Sequence, residues 1–215
     1  ANLDGADLEK AILRDISWDT ASQRFCCEGI HLARVIPPEL DADEDFKDAK
    51  ELSRLLADLQ NAQSIDEVSK NWMKRAKRIK KRRGSLVYAK VLNKFAWRSC
   101  LYGFSGQAIV NMAKAAVNNN PKSGNYKDTL AVAIAIHYDN TNVGLHPENL
   151  ETNETIYRSS IQYLNKALES KDFRMLSRRT AKTIRDRREH WIEELEQSRN
   201  PFTTEILELL LREER

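Results

Sequence analysis

The sequence predicts a mainly α-helical chain built from helical hairpins, and three observations lead to this fold class. Apolar residues recur at helical spacing through most of the chain, only 7 of its 215 residues are glycine, and 31% are charged. Helices favour this composition, because glycine weakens them and charged side chains cover their solvent-facing sides. We expect a helical domain over residues 42–215, a linker over 26–41, and a different structure over 1–25.

The first two helices are predicted from stripes of apolar residues. The first covers residues 42–62, and its inner side carries Phe46, Ala49, Leu52, Leu56 and Leu59. The second begins at residues 64–67, which have the form of a capping box, and Gly84 can end it. Its inner side carries Ile65, Val68, Trp72, Ala76 and Ile79. Its many basic residues must therefore cover its other sides.

Two helical hairpins are predicted between residues 86 and 168. In the first, Leu92, Ala96 and Trp97 precede a turn at Gly103, and the second helix of the hairpin carries Ala108, Ile109, Met112 and Ala115. We expect Trp97 and Met112 to be buried, and Ala108 and Ala115 to let the two helices approach closely. The second hairpin has Leu130 and Ala131 on its first helix. After an insertion over residues 137–154, its second helix carries Ser160, Ile161, Leu164, Ala167 and Leu168.

Three short motifs in this part of the chain occur in a recognisable order. They are Asn93-Lys-Phe-Ala-Trp97, Gly124-Asn-Tyr-Lys-Asp128, and Trp191, Ile192 and Leu195 followed by Asn200-Pro201-Phe202. In this order they resemble tetratricopeptide repeats, and more narrowly a divergent module at the C-terminus of multidomain cyanobacterial and other bacterial proteins. The resemblance implies an α-α superhelix, whose concave surface binds another chain. It also implies that the intact protein carries a signalling or effector domain upstream.

The C-terminal region is predicted to form two further helices. The first covers residues 172–197. Asn200 can serve as the N-cap of the second, with Pro201 at its first position. One side of this last helix carries Phe202, Ile206, Leu209 and Leu210. We expect it to cover the open end of the helical stack.

The first twenty residues divide into four groups of five, beginning at Ala1, Ala6, Ala11 and Ile16. This pattern resembles pentapeptide-repeat proteins and implies the last coil of a square β-solenoid over residues 1–25. One coil alone cannot bury its apolar side, so we expect Ala1 to mark a cut in a longer protein. An amphipathic helix is the alternative, because Leu8, Ala11, Ile12 and Ile16 also fit a helical stripe.

Positive charge is concentrated in one part of the chain. Residues 68–127 contain fifteen Lys and Arg residues and no Asp or Glu. We predict that an anionic partner contacts this region at Lys74, Arg78, Lys81 and Arg82, with Lys90 and Lys94 as an extension. The partner is an acidic protein surface or nucleic acid. The alternatives are simple solvation of these charges and neutralisation by the acidic residues 39–45.

Catalytic and membrane functions have little support in the sequence. It has no Gly-rich phosphate loop, no H-E-x-x-H and no G-x-S-x-G motif, and we expect neither a cofactor nor a metal site. Cys100 and His137 could pair as nucleophile and base, but Cys100 lies inside a predicted helix, where cysteine is usually a small apolar residue. No apolar segment is long enough to span a bilayer, and we expect a cytoplasmic protein.

The sequence therefore favours a non-catalytic protein–protein interaction module of a larger signalling or regulatory bacterial protein. The alternative is a basic helical module that binds nucleic acid through its phosphates.

Overall fold

The computed structural model describes residues 29–33, 36, 41–142 and 162–169, together with Lys182, Arg185, Asp186 and Glu189. The described part of the chain is mainly helical and contains no strand, which confirms the mainly α fold class. The chain divides into two compact units, Ala1–Arg98 and Ser99–Arg215.

Several sequence predictions concern residues outside the described ranges. They include the solenoid coil over residues 1–25, the C-terminal motifs at Trp191 and Asn200, and the last helix. Within the helix predicted over residues 172–197, the four described residues are helical.

The first long helix, α1, spans Glu44–Gln60. It begins there because the Asp43 carboxylate accepts a hydrogen bond of 2.8 Å from the Phe46 N–H, which would otherwise lack a partner at the helix start. The predicted inner side is confirmed, since Phe46, Ala49, Leu52, Leu56 and Leu59 are all buried.

A short 3-10 turn, Ile30–Leu32, packs on α1. Ile30 is fully buried, and its N–H donates to the Ser53 hydroxyl at 3.1 Å. The same hydroxyl lies 3.0 Å from Nδ1 of His31. Part of the segment predicted as a linker is thus held against the helical unit.

The second helix, α2, spans Asp66–Leu101 and is interrupted at Gly84. Its start is confirmed near the predicted capping box, where the Ser64 hydroxyl accepts from the Asp66 N–H at 3.3 Å. Gly84 has φ 83° and ψ −177°, a conformation that only glycine adopts readily. We refer to residues 66–83 as the N-terminal arm of α2 and to residues 85–101 as its C-terminal arm.

The two arms of α2 form an antiparallel hairpin. The Trp72 indole N–H donates to the Val91 carbonyl at 3.2 Å, and the Trp72 and Phe95 rings lie 4.9 Å apart. Nearer the turn, the Tyr88 hydroxyl lies 3.6 Å from the Met73 sulfur. The contacts therefore pair residues at increasing distance before Gly84 with residues at increasing distance after it, as in an antiparallel hairpin.

Replacing Gly84 with alanine is expected to destabilise the Ala1–Arg98 unit by about 1–3 kcal/mol, because the backbone conformation at this residue is unfavourable for any side chain. Crowding does not contribute, since a Cβ at this position would have no atom within 4 Å. Urea unfolding of Gly84→Ala beside Leu86→Ala, a change at an exposed neighbour, measures the effect. An equal loss in both variants would show that the turn does not depend on glycine.

The Ser99–Arg215 unit begins in the last turn of α2, which ends in a Schellman motif. The Gly103 N–H bonds to the Cys100 carbonyl at 3.0 Å, and the Phe104 N–H bonds to the Ser99 carbonyl at 2.9 Å. Gly103 has φ 77°, as this ending requires. The predicted turn at Gly103 is confirmed, and Cys100 is fully buried.

Within residues 103–142 and 162–169, the described helices after the turn are α3 over Gln107–Asn119, α4 over Gly124–Asn142 and α5 over residues 162–168. α3 packs against α4. The Lys127 ammonium of α4 donates to the Lys166 carbonyl of α5 at 3.3 Å. Of the residues predicted to lie inside the second hairpin, Leu130, Ala131, Leu164 and Ala167 are buried, and Leu168 is half-buried.

The inner side of α3 differs slightly from the prediction. Met112 is buried as expected, whereas Ala108 and Ala115 are only half-buried. Ala113 and Ala116 are the fully buried small residues. Ile109, which was also predicted on this side, is buried, so only the two alanine positions differ from the prediction. Trp97, at the end of α2, is half-buried as well.

Candidate partner-binding surface on α2

A cluster of arginines and carboxylates joins α1 to the N-terminal arm of α2. Arg82 donates from Nε to Asp45 at 2.9 Å and from Nη2 to Asp48. Arg83 donates to the second oxygen of Asp45, and Arg75 donates to Asp48 at 3.2 Å. We call these five residues the arginine cluster. The salt bridges of this cluster connect the start of α1 with the end of the N-terminal arm of α2, so α1 and this arm run antiparallel.

Both carboxylates of the arginine cluster are buried, with side chains 4% exposed, whereas Arg82 and Arg83 keep 35% and 39% of theirs exposed. Burial opposes ionisation of Asp45, but hydrogen bonds from Arg82 and Arg83 outweigh it and hold its pKa below the ordinary value. Burial also works against the charge of Arg82, and its bonds to Asp48 and Asp45 nevertheless raise its pKa. Asp45 and Arg82 are therefore charged at neutral pH.

Arg82 was predicted to contact a partner, but in the structure it belongs to the arginine cluster. This side chain bonds to two buried carboxylates and to the Glu44 carbonyl at 3.4 Å. Neutralisation by acidic residues, one of the sequence alternatives, thus occurs at this position. Asp45 lies in the acidic segment named there, while Asp48 lies beyond it.

The opposite side of the N-terminal arm carries four exposed lysines, which we call the lysine row: Lys70, Lys74, Lys77 and Lys81. Their spacing of four, three and four residues keeps them on one face of a helix. With a rise of about 1.5 Å per residue, the row is about 16 Å long. The buried stripe containing Trp72, Ala76 and Ile79 lies on the other side of the helix.

No carboxylate in the described part of the chain forms a salt bridge with the lysine row. The row includes two of the predicted site residues, Lys74 and Lys81. Lys70 and Lys77 were missed, although their spacing opposite the apolar stripe could have identified them.

The other predicted site residues lie beside the lysine row or on the C-terminal arm. Arg78 is exposed on the flank toward α1. After the hydrogen bond and charge of Lys47, the nearby charges of Arg82 and Arg78 also help to lower the pKa of Glu44. Lys90 and Lys94 are half-buried.

Lys80 takes a third role among the basic residues of the N-terminal arm. Its ammonium lies 4.7 Å from the centre of the Tyr88 ring, which belongs to the C-terminal arm. This distance suits a cation–π interaction across the hairpin. Apart from Arg78 on the flank, the basic residues of the N-terminal arm thus divide into a cluster that binds α1, a lysine that contacts the C-terminal arm, and a row that faces outward.

None of the helices in the described ranges combines the length and the apolar character required to cross a membrane. Comparison of the chain with protein-family models, with curated proteins and with solved structures found no match.

Proposed function

We propose that the chain is a non-catalytic interaction module of a larger bacterial regulatory protein, and that it binds an acidic segment of a protein partner along the lysine row. The observation that carries this proposal is the row itself. Its four lysines are exposed on one helix face, and no described carboxylate pairs with them. The helix beneath is fixed by Trp72 on one side and by the arginine cluster on another, so the row is held in place before a partner arrives.

The resemblance to tetratricopeptide repeats supports an interaction role from a second direction. In the Ser99–Arg215 unit, α3 packs against α4, and fully buried alanines occur on both helices: Ala113, Ala116, Ala131 and Ala135. Small buried residues of this kind let paired helices approach closely, as helical repeats require.

An acidic protein segment fits the lysine row better than a nucleic acid does. Arginine is the better ligand for phosphate because its planar group binds two oxygens at once. Here Arg75, Arg82 and Arg83 already bind the carboxylates of α1. Nucleic-acid binding through phosphates is therefore the second candidate.

Reversing the charge of Lys74 and Lys81 to glutamate is expected to weaken binding of a poly-glutamate peptide about tenfold, because two attractive contacts become repulsive. The matched control is the double change of Lys114 and Lys122 to glutamate, which alters net charge equally at exposed residues of the other unit. We expect the control to retain nearly all of the affinity. Titration at about 50 and about 200 mM salt should also show a weaker salt dependence for the row variant.

Two results of this titration would contradict the proposal. An equal loss of affinity in both variants would mean that peptide binding follows net charge rather than the lysine row. Tighter binding of a DNA duplex than of the peptide, lost in the row variant, would favour the nucleic-acid alternative.

A further inference from the structure

The turn between the two arms of α2 presents a short segment whose chemistry the helical core does not explain. It reads Arg82-Arg83-Gly84-Ser85-Leu86. Ser85 is exposed, and Leu86, at 65% exposure, is one of two large apolar residues exposed in the described part of the chain. Packing of the helical core therefore does not account for an apolar side chain at residue 86.

The order of these side chains matches what a serine kinase that selects basic substrates requires. Carboxylates of such a kinase pair with arginines shortly before the serine, and an apolar pocket takes the residue that follows it. Arg82 and Arg83 stand three and two residues before Ser85, and Leu86 follows directly. We propose that Ser85 is a phosphorylation site for a kinase of this class, which goes beyond the interaction role proposed above.

The backbone makes the segment accessible. The N-terminal arm stops at Gly84, where ψ is −177°, so the residue directly before the serine leaves the helical path, while Arg82 and Arg83 form the end of the arm. No atom lies within 4 Å of the position that a Gly84 Cβ would take, which shows open space around the turn. A kinase can thus reach Ser85 from outside the hairpin, and its carboxylates then replace Asp45 and Asp48 as the partners of Arg82 and Arg83.

The reaction consumes a nucleoside triphosphate, which the kinase supplies together with its metal ion. The Ser85 Oγ forms a bond to the γ-phosphorus, and the bond from that phosphorus to the bridging oxygen breaks. The hydroxyl proton passes to a base of the kinase, and the nucleoside diphosphate leaves.

The product places a charge of about −1.5 to −2 beside Arg82 and Arg83, at the first residue of the C-terminal arm. Negative charge is favourable at a helix start. The phosphate also competes with Asp45 for the same two arginines, so phosphorylation weakens the arginine cluster and with it the attachment of α1.

The test incubates the intact chain with a purified serine kinase that prefers arginine at both positions and with ATP, and maps the phosphate by mass spectrometry. We expect the phosphate on Ser85 and its loss in Ser85→Ala. Ser64→Ala is the control, because Ser64 is also exposed but is followed by Ile65, Asp66 and Glu67 and has no arginine just before it, and it should leave phosphate incorporation unchanged. Leu86→Ala should slow the reaction about tenfold, the usual effect of removing methylene groups from an apolar pocket.

Three outcomes would overturn the proposal. The first is phosphate on other residues while Ser85 stays unmodified. The second is phosphorylation of a synthetic peptide covering residues 80–90 while the intact chain is not modified, since the folded turn would then be inaccessible. The third is an unchanged rate in Leu86→Ala, which would remove the role of the exposed apolar side chain.

Discussion

Truncating Trp72 to alanine is expected to destabilise the Ala1–Arg98 unit by about 3–5 kcal/mol, the usual cost of deleting a large buried aromatic side chain. Trp72 is fully buried, its ring lies 4.9 Å from that of Phe95, and its indole N–H bonds to the Val91 carbonyl. Since small domains are stable by about 5–15 kcal/mol in all, this change removes a large share of the total. Urea unfolding monitored by circular dichroism measures the loss.

Trp72→Phe separates the packing contribution from the hydrogen bond. Phenylalanine keeps an aromatic ring beside Phe95 but cannot donate to Val91, so we expect a loss well below that of alanine. If alanine and phenylalanine cost the same, the contact between the two arms of α2 would not depend on ring packing, and the antiparallel hairpin would need another explanation.

Replacing Asp45 with asparagine is expected to cost about 2–3 kcal/mol at neutral pH, because hydrogen bonds between charged groups become bonds to a neutral amide. The loss stays below that for an isolated buried ion pair, since Arg82 and Arg83 are partly exposed and water can take over some of their bonds. Asp58→Asn is the matched control, because Asp58 lies on the same helix and is exposed.

The contribution of Asp45 to the free energy of unfolding should decrease as the pH falls. Its pKa in the folded chain is below the ordinary value of 3.8, so the unfolded chain takes up a proton first as the pH falls. The stabilisation is therefore complete above 3.8 and is lost as the pH drops through the folded value. The difference in unfolding free energy between wild type and Asp45→Asn should shrink over that acidic range. A constant difference at all pH values would contradict the arginine cluster as the cause.

The helices of the first unit could be predicted from the sequence because burial follows helical periodicity closely. The stripes ending at Leu59 and Ile79 are buried as expected except for Val68, which is half-buried, and Gly84 marks the end of the N-terminal arm. What periodicity could not show is that the next helix folds back at once. That depends on the Gly84 backbone conformation and on contacts between residues about twenty positions apart, such as Trp72 and Val91.

The surroundings of individual basic residues could not be predicted, because a run of charge does not reveal which neighbour each side chain faces. Lys74 and Arg82 look equivalent in a charge count, yet Lys74 is exposed and Arg82 binds Asp45 and Asp48. The residue types themselves carry a usable signal. Arginine is suited to bonding with carboxylates between helices, and lysine is strongly hydrated and suits an outward face.

The most direct test of this division of charge compares the unfolding free energies of two neutralised variants. One changes the lysine row, Lys70, Lys74, Lys77 and Lys81, to glutamine, and the other changes Arg75, Arg82 and Arg83 to glutamine. If the arginines hold α1 and the lysines are available to a partner, the first variant stays within about 1 kcal/mol of wild type. The second then loses about 3 kcal/mol or more, because Asp45 and Asp48 remain buried without a positive partner. Equal losses of stability in the two variants, or a larger loss in the lysine variant, would contradict this division of roles between the arginine cluster and the lysine row.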